Sequence, residues 1–170
     1  MKIYTKEELN NYSQSLTYDD ISLVPTEVSR IKSRSEASTN SEFLGIKLSV
    51  PVVSGPMDSV TGIEMAQELS NLGCLGILNR FDSSLEEVLR GRVSGEIKAV
   101  SIGLTTEDDL IDKLVEKGFI LCIDTANANN HEVLKKTESV KKKYNIPLIV
   151  GNIASGATLH QLEDAGADAV

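Results

Sequence analysis

Ile97-Lys98-Ala99-Val100-Ser101-Ile102-Gly103 and, one helical pattern later, Phe119-Ile120-Leu121-Cys122-Ile123-Asp124 decide the fold. Each is a short run of mainly aliphatic residues, apolar at nearly every position, as in a strand buried on both faces. Between them Leu110, Ile111, Leu114 and Val115 recur at helical spacing. Parallel strands need a long crossover, so two such strands joined by a helix form a βαβ unit. Working outward, the unit repeats. Apolar runs at 50–53 and Leu75–Leu78 come before, 148–150 comes after, and a sixth begins at Ala169-Val170. The strands recur roughly every 21–28 residues with a helix in each gap.

Three of the helices end alike. Leu72-Gly73-Cys74, Lys117-Gly118-Phe119 and Ala165-Gly166-Ala167 each put a glycine just past the last turn, where a left-handed residue is wanted. The closed form of this repeat is the (β/α)8 TIM barrel of about 250 residues. The chain holds five βα units and the start of strand six, so the expected fold is α/β, an N-terminal part of that barrel over residues 50–170. Residues 1–49 read as a lead-in, with an exposed arm rich in Ser, Thr, Arg and Lys between Ser29 and Ser41. A five-strand half barrel is expected to leave a parallel edge and an apolar interior unpaired, and to aggregate or oligomerise unless complemented.

Helix starts are legible as well. Thr61-Gly62-Ile63-Glu64 and Ser83-Ser84-Leu85-Glu86 both fit a capping box. The first of these helices is expected to bury Ile63, Ala66, Leu69 and Leu72.

Composition narrows the function classes. A formal net charge of −8 over 170 residues argues against a general nucleic-acid binder, which needs a basic surface. Lys135-Lys136 and Lys141-Lys142-Lys143 fall on one predicted helix and read as its solvated face. No apolar stretch approaches the ~20 residues of a membrane span. The opening Met1-Lys2-Ile3-Tyr4-Thr5-Lys6-Glu7 lacks the apolar core of a signal peptide, so a cytoplasmic location is expected. Cys74 and Cys122 lie in or beside buried strands and outside any Cys-x-x-Cys pair. They read as small hydrophobes, with no metal site.

In this architecture chemistry sits at the carboxyl ends of the strands. Those positions are Ser54-Gly55-Pro56-Met57-Asp58, then Asn79-Arg80, then Gly103 with Thr105 and Thr106. Asp124-Thr125-Ala126-Asn127 and Gly151-Asn152 complete the rim. A strand-end Asp can accept two hydrogen bonds from a ribose diol, and a nearby Arg can pair with phosphate through its planar fork. Taken singly, Asp124 and Asn152 read as caps of the helices that follow. Taken together, Asp58, Arg80, Asp124, Asn127 and Asn152 read as a ligand site. There is no Walker loop and no Gly-x-Gly-x-x-Gly fingerprint. His131 and His160 read as exposed helix residues.

The quoted residues resemble the IMP dehydrogenase/GMP reductase family. The resemblance is carried by 16–25 (Leu-Thr-Tyr-Asp-Asp-Ile-Ser-Leu-Val-Pro) and 51–61 (Pro-Val-Val-Ser-Gly-Pro-Met-Asp-Ser-Val-Thr). It continues in Ile123-Asp124-Thr125-Ala126-Asn127, Val150-Gly151-Asn152-Ile153 and Ala165-Gly166-Ala167-Asp168. These occur in family order and spacing. No CBS pair intervenes between the second helix and third strand, where 89–97 closes the gap in a few residues; this fits GMP reductases and a few dehydrogenases. Lys32-Ser33-Arg34-Ser35-Glu36 resembles the reductase arm that reaches a neighbouring subunit's NADPH, and an Arg beside a hydroxyl suits a 2′-phosphate. Residues 56–61 look more like a dehydrogenase. Arg80 stands where reductases carry Lys, and Ala128 replaces a usual glycine.

The resemblance favours the reductase branch. It implies that the complete protein reduces GMP to IMP and ammonia with NADPH, through a cysteine nucleophile assisted by a Thr–Glu pair. It assigns Ser33, Arg34, Arg80, Asp124, Thr125 and Ala126 to the cofactor, and Gly55, Met57 and Asn152 to the purine nucleotide. A homotetramer is implied, as is a monovalent cation such as K+ in the complete protein. The nucleophilic cysteine belongs to a glycine-rich loop after strand six, so these 170 residues are expected to be inactive alone. Two alternatives stand beside this: a CBS-less IMP dehydrogenase oxidising IMP to XMP with NAD, and a non-enzymatic nucleotide-binding or assembly protein.

Overall fold

The computed structural model describes residues 5–11, 17, 19–22, 24, 28–81, 84–91 and 96–170. The chain divides into two compact units, Met1–Ser38 and Thr39–Val170, each described by itself. In the first, helix α1 (Lys6–Asn10) is closed by a capping box between Thr5 and Glu8. The Asp20 carboxylate accepts from the Thr17 N–H at 2.8 Å and its hydroxyl at 2.9 Å. These bonds to the ionised form hold its pKa below the ordinary value. Most of the family-like run 16–25 lies outside the described residues. A 3-10 turn, Arg34–Glu36, follows an N-cap at Ser33, and residues 28–42 are exposed throughout.

The second unit opens with an antiparallel hairpin, β1 (Ser41–Phe43) and β2 (Ile46–Leu48). Its turn places Leu44 at φ 49° and Gly45 at φ 80°. Both central residues are left-handed, the twist that a two-residue hairpin needs. A parallel sheet follows, in the order β3 (Val53–Ser54), β4 (Leu75–Leu78), β5 (Ala99–Ile102), β6 (Ile120–Asp124) and β7 (Leu148–Gly151). The crossovers carry α2 (Ile63–Asn71), α3 (Ser84–Leu89), α4 (Asp108–Glu116) and α5 (His131–Lys143). Helix α6 (Gly156–Asp164) leads to Ala169, which bridges in parallel to Ile149 as a sixth strand begins. Strand order equals chain order, so this is a half barrel with its helices on one face.

Alternation within the strands makes two cores. Leu78, Val100, Ile102, Leu121, Ile123, Leu148 and Val150 meet the helices through Ala66, Ile111, Leu114, Val133, Val140 and Leu162. The opposite side chains, Leu75, Ile77, Ala99, Ile120, Cys122 and Ile149, line the concave face. That face is not left open as expected. Leu48 of β2 is buried in it, and Phe43, Leu44 and Ile46 pack against it. The hairpin thus plugs the amino end of the strands. The β3 edge matches expectation, with Val50, Val52 and Val53 exposed.

Glycines at 73, 118 and 166 take φ of 72°, 80° and 98°, ending α2, α4 and α6 as the spacing predicts. Two helix details differ. Gly62, not Thr61, is the N-cap of α2, without a side-chain cap bond, because the Thr61 hydroxyl is turned back to the Gly55 carbonyl at 2.7 Å. Leu72 is 58% exposed, since it sits at the C-cap where the chain leaves the buried face. The Ser83 capping box lies outside the described residues. The lysine face of α5 is also less solvated than expected. Lys136 reaches the Thr106 carbonyl at 3.1 Å, and Lys141 reaches Asp168 at 2.8 Å.

Candidate functional site at the strand carboxyl ends

β4 is followed directly by Asn79-Arg80-Phe81, which carries Arg80 to the ends of β5 and β6. The guanidinium lies over the Phe81 ring, 4.2 Å from its centroid. It also lies against Gly103, where an added Cβ would come within 3.0 Å of Cζ and 3.2 Å of Nε and Nη1. A side chain at that position would crowd the guanidinium and make it give way. Nη2 makes a long 3.4 Å bond to the Asp124 carbonyl. Arg80 Nε is buried and has no partner among the described residues. A buried donor left unpaired is costly and unusual, so this one is a reason to look for a ligand.

Asp124 is the last residue of β6, paired with Gly151 of β7. Burial pushes its carboxyl pKa up, and the Arg80 charge pulls it part of the way back. The ionised form is therefore held at a cost in the folded chain. Its stabilising partner state is the protonated one, fully present below the ordinary carboxylate pKa and lost as pH rises through the raised value. Asp124→Asn is expected to raise Tm at neutral pH and to give no gain in strong acid, as read by thermal melts across pH. Equal effects at both ends would show that burial of the charge is not the cause.

Neither Asp124 nor Asn152 caps a helix. Asn130 caps α5, accepting from the Glu132 N–H at 2.9 Å, and Ser155 caps α6. The capping explanation fails, and both side chains are left at the rim. Thr125 is committed to structure: its N–H and hydroxyl both donate to the Gly151 carbonyl at 2.8 Å. The Asn152 N–H donates to the Thr125 carbonyl at 2.7 Å, and the buried Ala128 donates to the Asn152 carbonyl at 2.8 Å. These bonds join the β6 and β7 loops. Ala126 and Asn127 are exposed beside them, and Asn127 Oδ1 accepts from the Asn129 N–H.

The β3–α2 loop carries Gly55 and Met57, both exposed, with Met57 at 56%. Asp58 closes on its own neighbour, accepting from the Ser59 N–H at 2.7 Å. Behind Gly103, the Thr106 hydroxyl accepts from the Gly103 N–H at 2.8 Å while Lys136 holds the Thr106 carbonyl. Sequence reading placed Gly103 and Thr106 on the rim but did not show that they form a braced floor for Arg80. Ser33 and Arg34 belong to the first unit. Ser33 Oγ is within 2.9 Å of Ser35 Oγ, and Arg34 is exposed.

Neither cysteine has the setting of a nucleophile. Cys122 is buried on the concave face, where desolvation and the Asp124 charge push its thiol up to about 12. Cys74 is half-buried at the amino end of β4. No cluster of metal-ligating side chains exists among the described residues. None of the described helices is long and apolar enough to cross a membrane.

The chain is similar to known proteins. Residues 15–170 match the family described as "IMP dehydrogenase / GMP reductase domain". The GMP reductase of Lactobacillus delbrueckii subsp. bulgaricus is 32% identical over 170 residues, covering 95% of this chain and 51% of the relative. That of Lactobacillus johnsonii is 34% identical over 172 residues, with 95% and 51% covered. That of Oenococcus oeni is 35% identical over 159 residues, with 89% and 49% covered. The chain spans about half the length of the curated relatives it matches. On the match across 15–170, this chain belongs to the IMP dehydrogenase/GMP reductase family, nearer to its GMP reductase members.

Proposed function

We propose that the chain is the nucleotide- and cofactor-contacting part of an NADPH-dependent GMP reductase, which converts GMP to IMP and ammonia. The observation that carries this reading is the Arg80–Asp124 pair. A cation with an unspent buried donor and a carboxylate with no cap to make stand together on the rim of a chain related to GMP reductases.

The residues fit a dinucleotide. Arg80 would offer its planar fork to phosphate, Asp124 would accept from ribose hydroxyls, and exposed Ala126 beside Thr125 leaves room along the β6 loop. Ser33 and Arg34 would meet the 2′-phosphate, across a subunit contact in a homotetramer. NADPH, when bound, supplies the hydride. Gly55 and Met57 would line the purine nucleotide, with Asn152 nearby. The thiol that attacks the purine C2 in this reading is not Cys122 or Cys74, whose settings keep them protonated or remote. It belongs, with the K+ site and the Thr–Glu pair, to sequence outside these residues. The protein is proposed to work in the cytoplasm.

GMP-dependent loss of NADPH absorbance, with IMP and ammonia as products, is the expected result for the protein expressed from its complete reading frame. The dehydrogenase-like loop 56–61 makes a second assay necessary, with IMP and NAD as substrates. XMP formed from IMP and NAD, without GMP-dependent oxidation of NADPH, would replace this reading with the dehydrogenase. Nucleotide binding with neither turnover would favour a non-enzymatic role.

A further inference from the structure

Asn79 and Thr61 are polar, wholly buried, each 0% exposed, and have no direct part in the binding described above. Asn79 follows β4 and precedes Arg80. Its Nδ2 donates to the Thr61 carbonyl at 3.0 Å, and its backbone N–H donates to the same oxygen at 3.1 Å. Its Oδ1 accepts from the Phe81 N–H at 2.9 Å. These partners fix the orientation of the amide, because a carbonyl takes only a donor and an N–H only an acceptor.

Thr61 carries the linkage onward. Its Oγ1 donates to the Gly55 carbonyl at 2.7 Å and lies 2.8 Å from Ser54 Oγ. The Thr61 N–H donates to the Met57 carbonyl at 2.9 Å, as the Val60 N–H does at 3.0 Å. One buried side chain thus ties the loop bearing Gly55 and Met57 to the segment bearing Arg80 and Phe81.

We propose that Asn79 is a positioning residue that couples these two segments, so that ordering one restrains the other. The geometric coupling stands on the hydrogen bonds alone. Its consequence for nucleotide and cofactor rests on the reductase reading. A polar group buried at 0% exposure and satisfied at both ends of its amide gives the linkage stiffness that exposed rim bonds lack.

The test uses the protein expressed from its complete reading frame, with amide hydrogen exchange and steady-state kinetics as readouts. In Asn79→Leu, exchange should quicken together at 57–61 and at Phe81, and KM for GMP and for NADPH should rise together, about tenfold each. Thr61→Val removes the Oγ1 bonds, so it should loosen 55–61 most and, through Asn79, quicken exchange at Phe81 as well, and Thr61→Ser should restore both. Asn79→Leu overturns the proposal if it quickens exchange in only one segment. A lowered Tm with both segments and both KM values unchanged also overturns it, since Asn79 would then be merely structural. If the unaltered protein turns over no GMP, the exchange arm still decides the coupling, and only the assignment of the segments to nucleotide and cofactor falls. If Asn79→Leu does not fold, the Thr61 pair decides: loss of protection at 55–61 that extends to Phe81 and is restored by the serine supports the linkage, and loss confined to 55–61 sinks it.

Discussion

Arg80→Ala is expected to raise the KM for NADPH by about 10- to 100-fold. Hydrogen bonds to charged groups are worth about 1.5–3 kcal/mol, and each 1.4 kcal/mol is about tenfold in affinity. The guanidinium is preorganised, stacked on Phe81 at 4.2 Å and seated against Gly103, so little rotamer entropy is lost when a phosphate arrives. The KM for GMP should move little, because truncating Arg80 leaves the Asn79 bonds to Thr61 and Phe81 in place. Arg80→Lys keeps the charge but loses the plane and the stack, and should fall between the two. Gly103→Ala tests the seat itself. Its new Cβ would lie 3.0 Å from Cζ, so the guanidinium must shift while the charge is retained. It should reproduce much of the NADPH effect with little change in Tm. Steady-state kinetics on these variants checks all three. An Arg80→Ala protein with an unchanged KM for NADPH would remove Arg80 from the cofactor site.

Gly76→Val should be the most damaging single change to the fold. A Cβ at Gly76 would stand 2.6 Å from Ala66 Cα and 3.0 Å from its Cβ. Below 3.0 Å something must move, and here it is the backbone of α2. Ala66 is 1% exposed at the centre of the helix–sheet core, so lifting α2 also opens that core. Overpacking usually costs about 1–3 kcal/mol. A backbone collision that cannot be relieved by a rotamer should reach at least the top of that range. Gly76→Ala should lower the urea midpoint clearly, and Gly76→Val should leave little folded protein. Ala66→Gly should not rescue Gly76→Ala, because the closest contact is to Cα rather than Cβ. Full rescue by Ala66→Gly, or a Gly76→Ala protein as stable as the parent, would show that α2 shifts at little cost.

Much of this was legible in the residues. The strands, the glycine stops at 73, 118 and 166 and the parallel order followed from periodicity, because apolar alternation and left-handed termini are local properties. The rim positions followed from the architecture. The hairpin at 41–48 lies inside the stretch 1–49 that reads as lead-in. Its signals are Leu44-Gly45 and the alternation of Phe43, Ile46 and Leu48 around it, but a leucine at φ 49° is an uncommon first turn residue. Leu44 accepts that conformation while half-buried against the concave core. At Thr61 too, local pattern and tertiary contact disagree. Its position before Ile63 suits a cap, but a hydroxyl serves the strongest partner it can reach, and Gly55 of the preceding loop is that partner.

By itself the sequence determined that this chain is a run of parallel βα units, which family it resembles, and which polar residues reach the carboxyl ends of the strands. Those follow from spacing along one chain. Only the tertiary structure decided that the hairpin closes the concave face and that Asn130 and Ser155 do the capping, leaving Asp124 and Asn152 to the rim. It also decided that Gly103 makes a seat for Arg80 and that Asn79 binds two loops together. Each of these depends on atoms brought together from distant parts of the chain. Partner choice among hydrogen-bonding groups and the space beside a glycine are set by what packs there, which no local pattern encodes.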